Sequence, residues 1–162
     1  MKRLIIAPHV DDDVLGCGGI LDKSCHVLYC GLDETGLEDR PTMEDRLKEV
    51  YVCHPSYNQD HKSVYNASMI ALRPHDTNYF VSKVFLYEQP QVYFWNTTDR
   101  DFTANYFVGI DIEKKIKVYE TMKSQVRSFR SSEHIRANSK IRGGQSNHEY
   151  AEAFEIVRWV NG

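Results

Sequence analysis

No run of this 162-residue sequence approaches the ~20 consecutive apolar residues that a membrane-spanning helix needs, so no membrane span is expected. The apolar stretch near Leu4 to Ala7 is also too short for a secretory core, and acids follow it directly. Cysteine is sparse and unpatterned: Cys17, Cys25, Cys30 and Cys53 form no Cys-x-x-Cys pair. That argues against both a disulfide framework and a cysteine-built zinc site, and for reduced thiols in a cytoplasmic protein. A charge excess of one sign is missing too. With 20 Lys and Arg against 23 Asp and Glu the net charge is -3, and the basic residues of the C-terminal half are scattered singly, so nucleic acid is not an expected partner. Repeats, low-complexity tracts and a convincing linker are likewise absent. Residues 1–162 are therefore expected to form one domain, long enough to bury a core.

What is present reads as an α/β chain. Residues 3–7 are apolar without alternation, as in a strand covered on both faces of a parallel sheet. Gly16-Cys17-Gly18-Gly19-Ile20-Leu21 reads as the first turn of a helix, and residues 26–30 as a second strand. Strand, helix, strand is the unit of a Rossmann-like three-layer sandwich with a mostly parallel sheet. Further along, helices are expected over 43–50, 63–72, 112–129 and 150–160, and strands over 83–87 and 91–95.

Two segments carry chemistry. Ala7-Pro8-His9-Val10-Asp11-Asp12-Asp13 follows the first strand, at the sheet edge where ligands bind in parallel α/β folds. Three consecutive carboxylates repel one another unless a cation or strong donors compensate, and a metal is the simplest compensation. His9 and Asp12 would offer one nitrogen and one oxygen from a single turn, which suits a catalytic zinc with three protein ligands and one open position. The plainer alternative is an acidic loop capping the next helix. The second segment, His54-Pro55-Ser56-Tyr57-Asn58-Gln59-Asp60-His61, follows a short apolar run. His61 can supply a third ligand and Asp60 can orient a ligating imidazole, although a cap beside a surface histidine would look the same.

His9-Val10-Asp11-Asp12 with Gly16-x-Gly18-Gly19 resembles the Pro-His-Pro-Asp-Asp-Glu…Gly-Gly signature of the PIG-L/LmbE-like zinc-dependent N-acetylglucosaminyl deacetylases. Tyr57-Asn58-Gln59-Asp60-His61 resembles their second metal motif. Asp111-Ile112-Glu113-Lys114-Lys115, Lys123-Ser124-Gln125, and Gly143-Gly144-Gln145 followed by Tyr150-Ala151-Glu152-Ala153-Phe154 look like their C-terminal segments. The resemblance implies one zinc per chain on His9, Asp12 and His61, with Asp11 as general base. It also implies an N-acetylated amino sugar as substrate, with acetate and a free amine as products. Val10 and Asp13 replace the usual proline and glutamate, and Asn58 stands where many members carry a histidine that stabilises the oxyanion; its amide can donate the same hydrogen bond uncharged. Between Glu49 and His54 the family normally has a further crossover, so a reduced sheet is expected.

Arg73 and His148 are further candidates for substrate binding, with an ordinary surface or structural role as the alternative for each. Tyr93 and Trp95 fit a strand core better than a sugar-stacking platform. A homo-oligomer is compatible with the sequence. Two other classes compete with the enzyme: a catalytically degenerate, metal-dependent sugar- or nucleotide-binding domain, and a nucleotide-binding domain using Gly16 to Gly19 for phosphate. Asp11 speaks against the first, since ligation alone does not require it. The acidic run and the missing Gly-x-Gly-x-x-Gly spacing speak against the second.

Overall fold

Five residues at Arg3–Ala7 form β1, and the other short apolar runs line up beside it. The computed structural model describes residues 2–9, 11–30, 49–55, 58–75, 80–89, 101–123 and 125–161. β1 pairs in parallel with β2 (Cys25–Tyr29) on one side and with β3 (Glu49–Cys53) on the other. β3 pairs in parallel with β4 (Lys83–Tyr87). β5 (Tyr106–Gly109) and β6 (Ala151–Trp159) complete a six-stranded sheet in the order β2-β1-β3-β4-β6-β5, with β6 antiparallel to both of its neighbours. The expected α/β class and mostly parallel sheet are present.

Helices cover both faces. On one face α2 (Gln59–Ala71) lays Tyr65 and Met69 against Val50, Val52, Val84 and Leu86. On the other, Cys17 of α1 (Asp12–Cys17) and Ile20 just beyond it pack on Ile5, Tyr51, Phe85 and Phe154. Val14 and Leu15 of α1 then meet Ile112, Ile116 and Tyr119 of α3 (Ile112–Tyr119) and Ile135 of α4 (Ser132–Gly144). Strands β3 and β4 are buried on both sides, which is why Val50 to Cys53 and Val84 to Tyr87 read as unbroken apolar runs.

Several local expectations fail for tertiary reasons. The glycines close α1 rather than open it: a Cβ on Gly16 would lie 2.2 Å from the buried Tyr87 ring, so glycine is needed where the helix crosses β4. Residues 151–159, expected to be helical, form β6 instead. Ala151, Glu152 and Ala153 suit a helix, but Phe154, Ile156, Val157 and Trp159 favour a strand, and the slot between β4 and β5 decides. Glu49 and Val50, assigned to a helix by their neighbours, belong to β3; the stretch 49–53 is thus a central strand. The helix expected over 112–129 ends at Tyr119, and a single 3-10 turn follows at Ser128–Arg130. β5 and α4 form where the local sequence pattern marks no element. Residues 43–48 and 91–95, with Tyr93 and Trp95, lie outside the described residues.

Parallel order places the chain's reversal between β1 and β3: from β1 it moves to β2 on one side, then returns to β3 on the other. In open α/β sheets this switch point, at the carboxyl ends of the strands, is where a crevice opens for ligands. His9 follows β1 there, and His61 follows β3.

A buried ion pair ties α1 to this frame. Lys115 Nζ donates to Glu152 Oε1 and to the Leu15 carbonyl, each at 2.7 Å, while Glu152 Oε1 also accepts from the Gly19 amide at 2.7 Å. Substituting Lys115→Met should cost about 3–5 kcal/mol, because Glu152 then stays buried without its cation. Lys140→Met, which breaks an exposed pair to Glu149, should change stability by less than about 1 kcal/mol. Urea unfolding midpoints of the two variants measure the contrast, and equal losses would refute it.

Candidate metal centre

The turn after β1 brings His9 back over its own helix start. The His9 amide donates to Asp12 Oδ2 at 2.9 Å, and the His9 Nδ1 atom lies 3.2 Å from the same oxygen. From across the switch point, His61 Nε2 reaches that oxygen at 3.3 Å. α2 begins at Gln59, ahead of the helical pattern visible in the sequence, because Asn58 caps it by accepting the Asp60 amide on Oδ1 at 2.9 Å. That early start puts His61 in the first turn, on the inward side, where it is 1% exposed.

One ligand atom from each of His9, Asp12 and His61 lies within 4.8 Å of the other two. Ligands about 2.0–2.1 Å from a tetrahedral zinc ion stand about 3.4 Å apart. The 3.2 Å and 3.3 Å separations to Asp12 match that spacing, so the donor set fits such an ion. Two imidazoles and one carboxylate are also an ordinary donor set for catalytic zinc.

Burying three acids in succession requires a partner for each, and the partners come from three directions. Asp12 meets the two imidazoles. Asp11, 4% exposed, accepts from Arg130 Nη1 at 2.8 Å in a buried ion pair, rather than standing unpaired beside the ligands. Asp13 accepts from the Tyr29 hydroxyl at 2.9 Å. Burial nevertheless pushes the Asp13 carboxyl above its ordinary range, and its Oδ1 meets no hydrogen-bond partner among the described residues. Burial and the Asp13 charge together raise the Tyr29 hydroxyl, which therefore remains a donor.

Arg130 is a site residue that its sequence neighbourhood does not single out. It stands 119 positions from Asp11, and its place is set by Tyr119, whose hydroxyl lies 2.8 Å from the Gln125 carbonyl and 3.0 Å from that of Arg130. The Gln125 side chain accepts from Arg130 Nη2 at 3.1 Å. The available signal was indirect: a buried acidic run demands a cation, but nothing local says which one.

Asp60 touches an imidazole as expected, but that of His9 and not of its neighbour His61, at 3.0 Å from Nε2. Partial burial works against a charge on His9; the Asp60 hydrogen bond and the charges of Asp12, Asp60 and Asp11 outweigh it, and the His9 pKa is raised. Asn58 directs Oδ1 into the helix cap. Arg73 lies past the far end of α2, ~18 Å along the axis from His61, and donates through Nε to the Ile70 carbonyl. His148 rests on Gly109 of the edge strand β5, close to Ser146 Oγ at 3.2 Å. The structure thus gathers His9, Asp11, Asp12, Asn58, Asp60 and His61, and leaves Arg73 and His148 outside the cluster.

A six-stranded, mostly parallel sheet with helices on both faces and a His-Asp-His cluster at its switch point make an α/β fold with a candidate metal centre. Two solved structures share this fold. For the conserved protein TT1542 from Thermus thermophilus the TM-score is 0.73 at 17% identity, covering 100% of this chain and 97% of that one. For the N,N'-diacetylchitobiose deacetylase from Pyrococcus horikoshii, in complex with its inhibitor MPG, it is 0.66 at 16% identity, covering 96% of this chain and 83% of that one. No protein-family model and no curated protein sequence matches the chain.

The Asp13 shift has a testable sign. A carboxyl whose pKa is higher in the folded protein holds its proton longer there than in the unfolded chain, so its contribution is present at low pH and declines as pH rises through the folded value. Asp13→Asn removes that decline and keeps an acceptor for Tyr29. The stability of Asp13→Asn relative to the parent should therefore increase as pH is raised from about 3 to about 6 in urea titrations; a flat difference would contradict the assignment.

Proposed function

We propose that this chain is a single-domain, zinc-dependent N-deacetylase acting on an N-acetylglucosamine-type amino sugar or conjugate. The spacing of His9, Asp12 and His61 at the switch point carries the reading, supported by the likeness of the fold to a diacetylchitobiose deacetylase. No described helix is long and apolar enough to cross a membrane, which suits a substrate met from water.

In this reading His9, Asp12 and His61 hold the ion, which when bound lowers the pKa of a water molecule towards ~7 and polarises the amide carbonyl. Asp11 is the general base. Arg130 holds Asp11 by Oδ2, so Oδ1 is the oxygen assigned to proton transfer. It accepts a proton as water oxygen bonds to the acetyl carbon, then returns it to the sugar nitrogen as the C–N bond breaks, giving acetate and a free amine. The Asn58 NH2 donates a hydrogen bond to the carbonyl oxygen as negative charge gathers there. Asp60 positions His9.

Purified protein should contain about one zinc per chain and release acetate from N-acetylglucosamine conjugates. His61→Ala should lose the metal. Asp11→Asn should keep it and lose about 10²–10⁴-fold in turnover, the range for a general base. Hydrolysis at the parent rate by Asp11→Asn would eliminate the base assignment, and protein without bound metal or acetate release would eliminate the function.

A further inference from the structure

A ligating imidazole needs a partner for its second ring nitrogen, since that bond selects the tautomer and holds the ring plane. For His9 the partner is Asp60. For His61 the second nitrogen meets a thiol. Its Nδ1 faces Cys53 Sγ at 3.4 Å, and both residues are buried, at 1% and 0% exposure. The same sulfur lies 3.5 Å from the His54 carbonyl, in position to donate its own proton. Tyr87 and Gln89 also reach the thiol; the Tyr87 hydroxyl donates to the Ile6 carbonyl at 2.9 Å, and the Gln89 amide gives one of its two protons to the Asp12 carbonyl at 3.0 Å.

We propose that Cys53 is the positioning residue of His61, through the relay His61 Nδ1–H to Cys53 Sγ and Cys53 S–H to the His54 carbonyl. This rests on the metal-site reading above. The direction follows from donor and acceptor chemistry. A nitrogen that ligates a metal carries no proton, so with Nε2 turned to Asp12 Oδ2, on the side where these residues would hold an ion, the ring proton of the loaded protein would reside on Nδ1. A thiol accepts that proton's hydrogen bond and still has one of its own to give; the carbonyl, an acceptor only, closes the chain. No covalent bond forms or breaks. Both groups come from the same strand end: Cys53 is the last residue of β3 and His54 the next, so the sheet carrying the switch point also orients the ring.

The test uses the full chain with Cys53→Val, a near-isostere that neither accepts nor donates, Cys53→Ala as a second truncation, and Cys53→Ser, which keeps both capacities. Zinc affinity is measured by chelator competition, thermal unfolding is followed on the metal-free proteins, and the His61 ring tautomer is read by nitrogen NMR on the zinc-loaded parent. The parent should show its ring proton on Nδ1. Cys53→Val and Cys53→Ala should bind zinc about 10- to 100-fold more weakly, the usual effect of losing such a partner, while Cys53→Ser retains most of the affinity. Parent-like affinity in Cys53→Val, or a change confined to thermal unfolding, overturns the relay and leaves the metal site standing. A parent that binds no zinc overturns both.

Discussion

Asp11, Asp12 and Asp13 are 4%, 1% and 4% exposed, and burying three adjacent carboxylates is the constraint from which the rest of this molecule can be understood. Each needs compensation where water is excluded. Because the side chains leave a helix start in different directions, no single partner can serve all three. Arg130 takes the first, His9 and His61 the second, and Tyr29 the third. Those partners come from the turn before α4, from both sides of the switch point and from β2. Neutralising one short acidic run therefore draws in elements from the whole fold, and the His-Asp-His cluster is one part of that compensation.

The scaffold holding the acids in place is equally specific. α1 carries them at its start and is clamped at its end, where Lys115 and Glu152 grip the Leu15 carbonyl and the Gly19 amide. Gly16 lets the helix lie against Tyr87, whose hydroxyl returns to β1 at the Ile6 carbonyl. Gln89, beyond the end of β4, donates to the Asp12 carbonyl. The residue at the centre of the candidate site is thus held through its side chain by the β1 turn and α2, and through its backbone by the β4 end. That is the preorganisation expected of a site that must present ligands at fixed spacing.

The candidate metal centre rests on the segments that follow two adjacent strands, and that adjacency depends on strand order. With β1 beside β3, His9 and His61 approach although 52 positions separate them. The same order explains why Arg73 and His148 stay away: one lies beyond the far end of α2, the other over the edge strand β5.

By itself the sequence determined the α/β class, β1, β2, β4, most of α2 and the two segments that carry the His-Asp-His donors, because these are local matters: apolar runs for strands, and imidazole and carboxylate placed just after them. Tertiary structure decided that the two segments meet, and more besides. Residues 151–159 became a strand because a slot between β4 and β5 outweighed the helical preference of Ala151, Glu152 and Ala153. Arg130 became the partner of Asp11 because Tyr119 folded the chain back after α3. Asp60 came to His9 instead of His61 because adjacent residues on a helix point in different directions, and only the approach of the β1 turn determines which imidazole lies within reach. Local patterning reports which groups a chain must bury; which distant groups meet them depends on packing, which no short stretch of sequence contains.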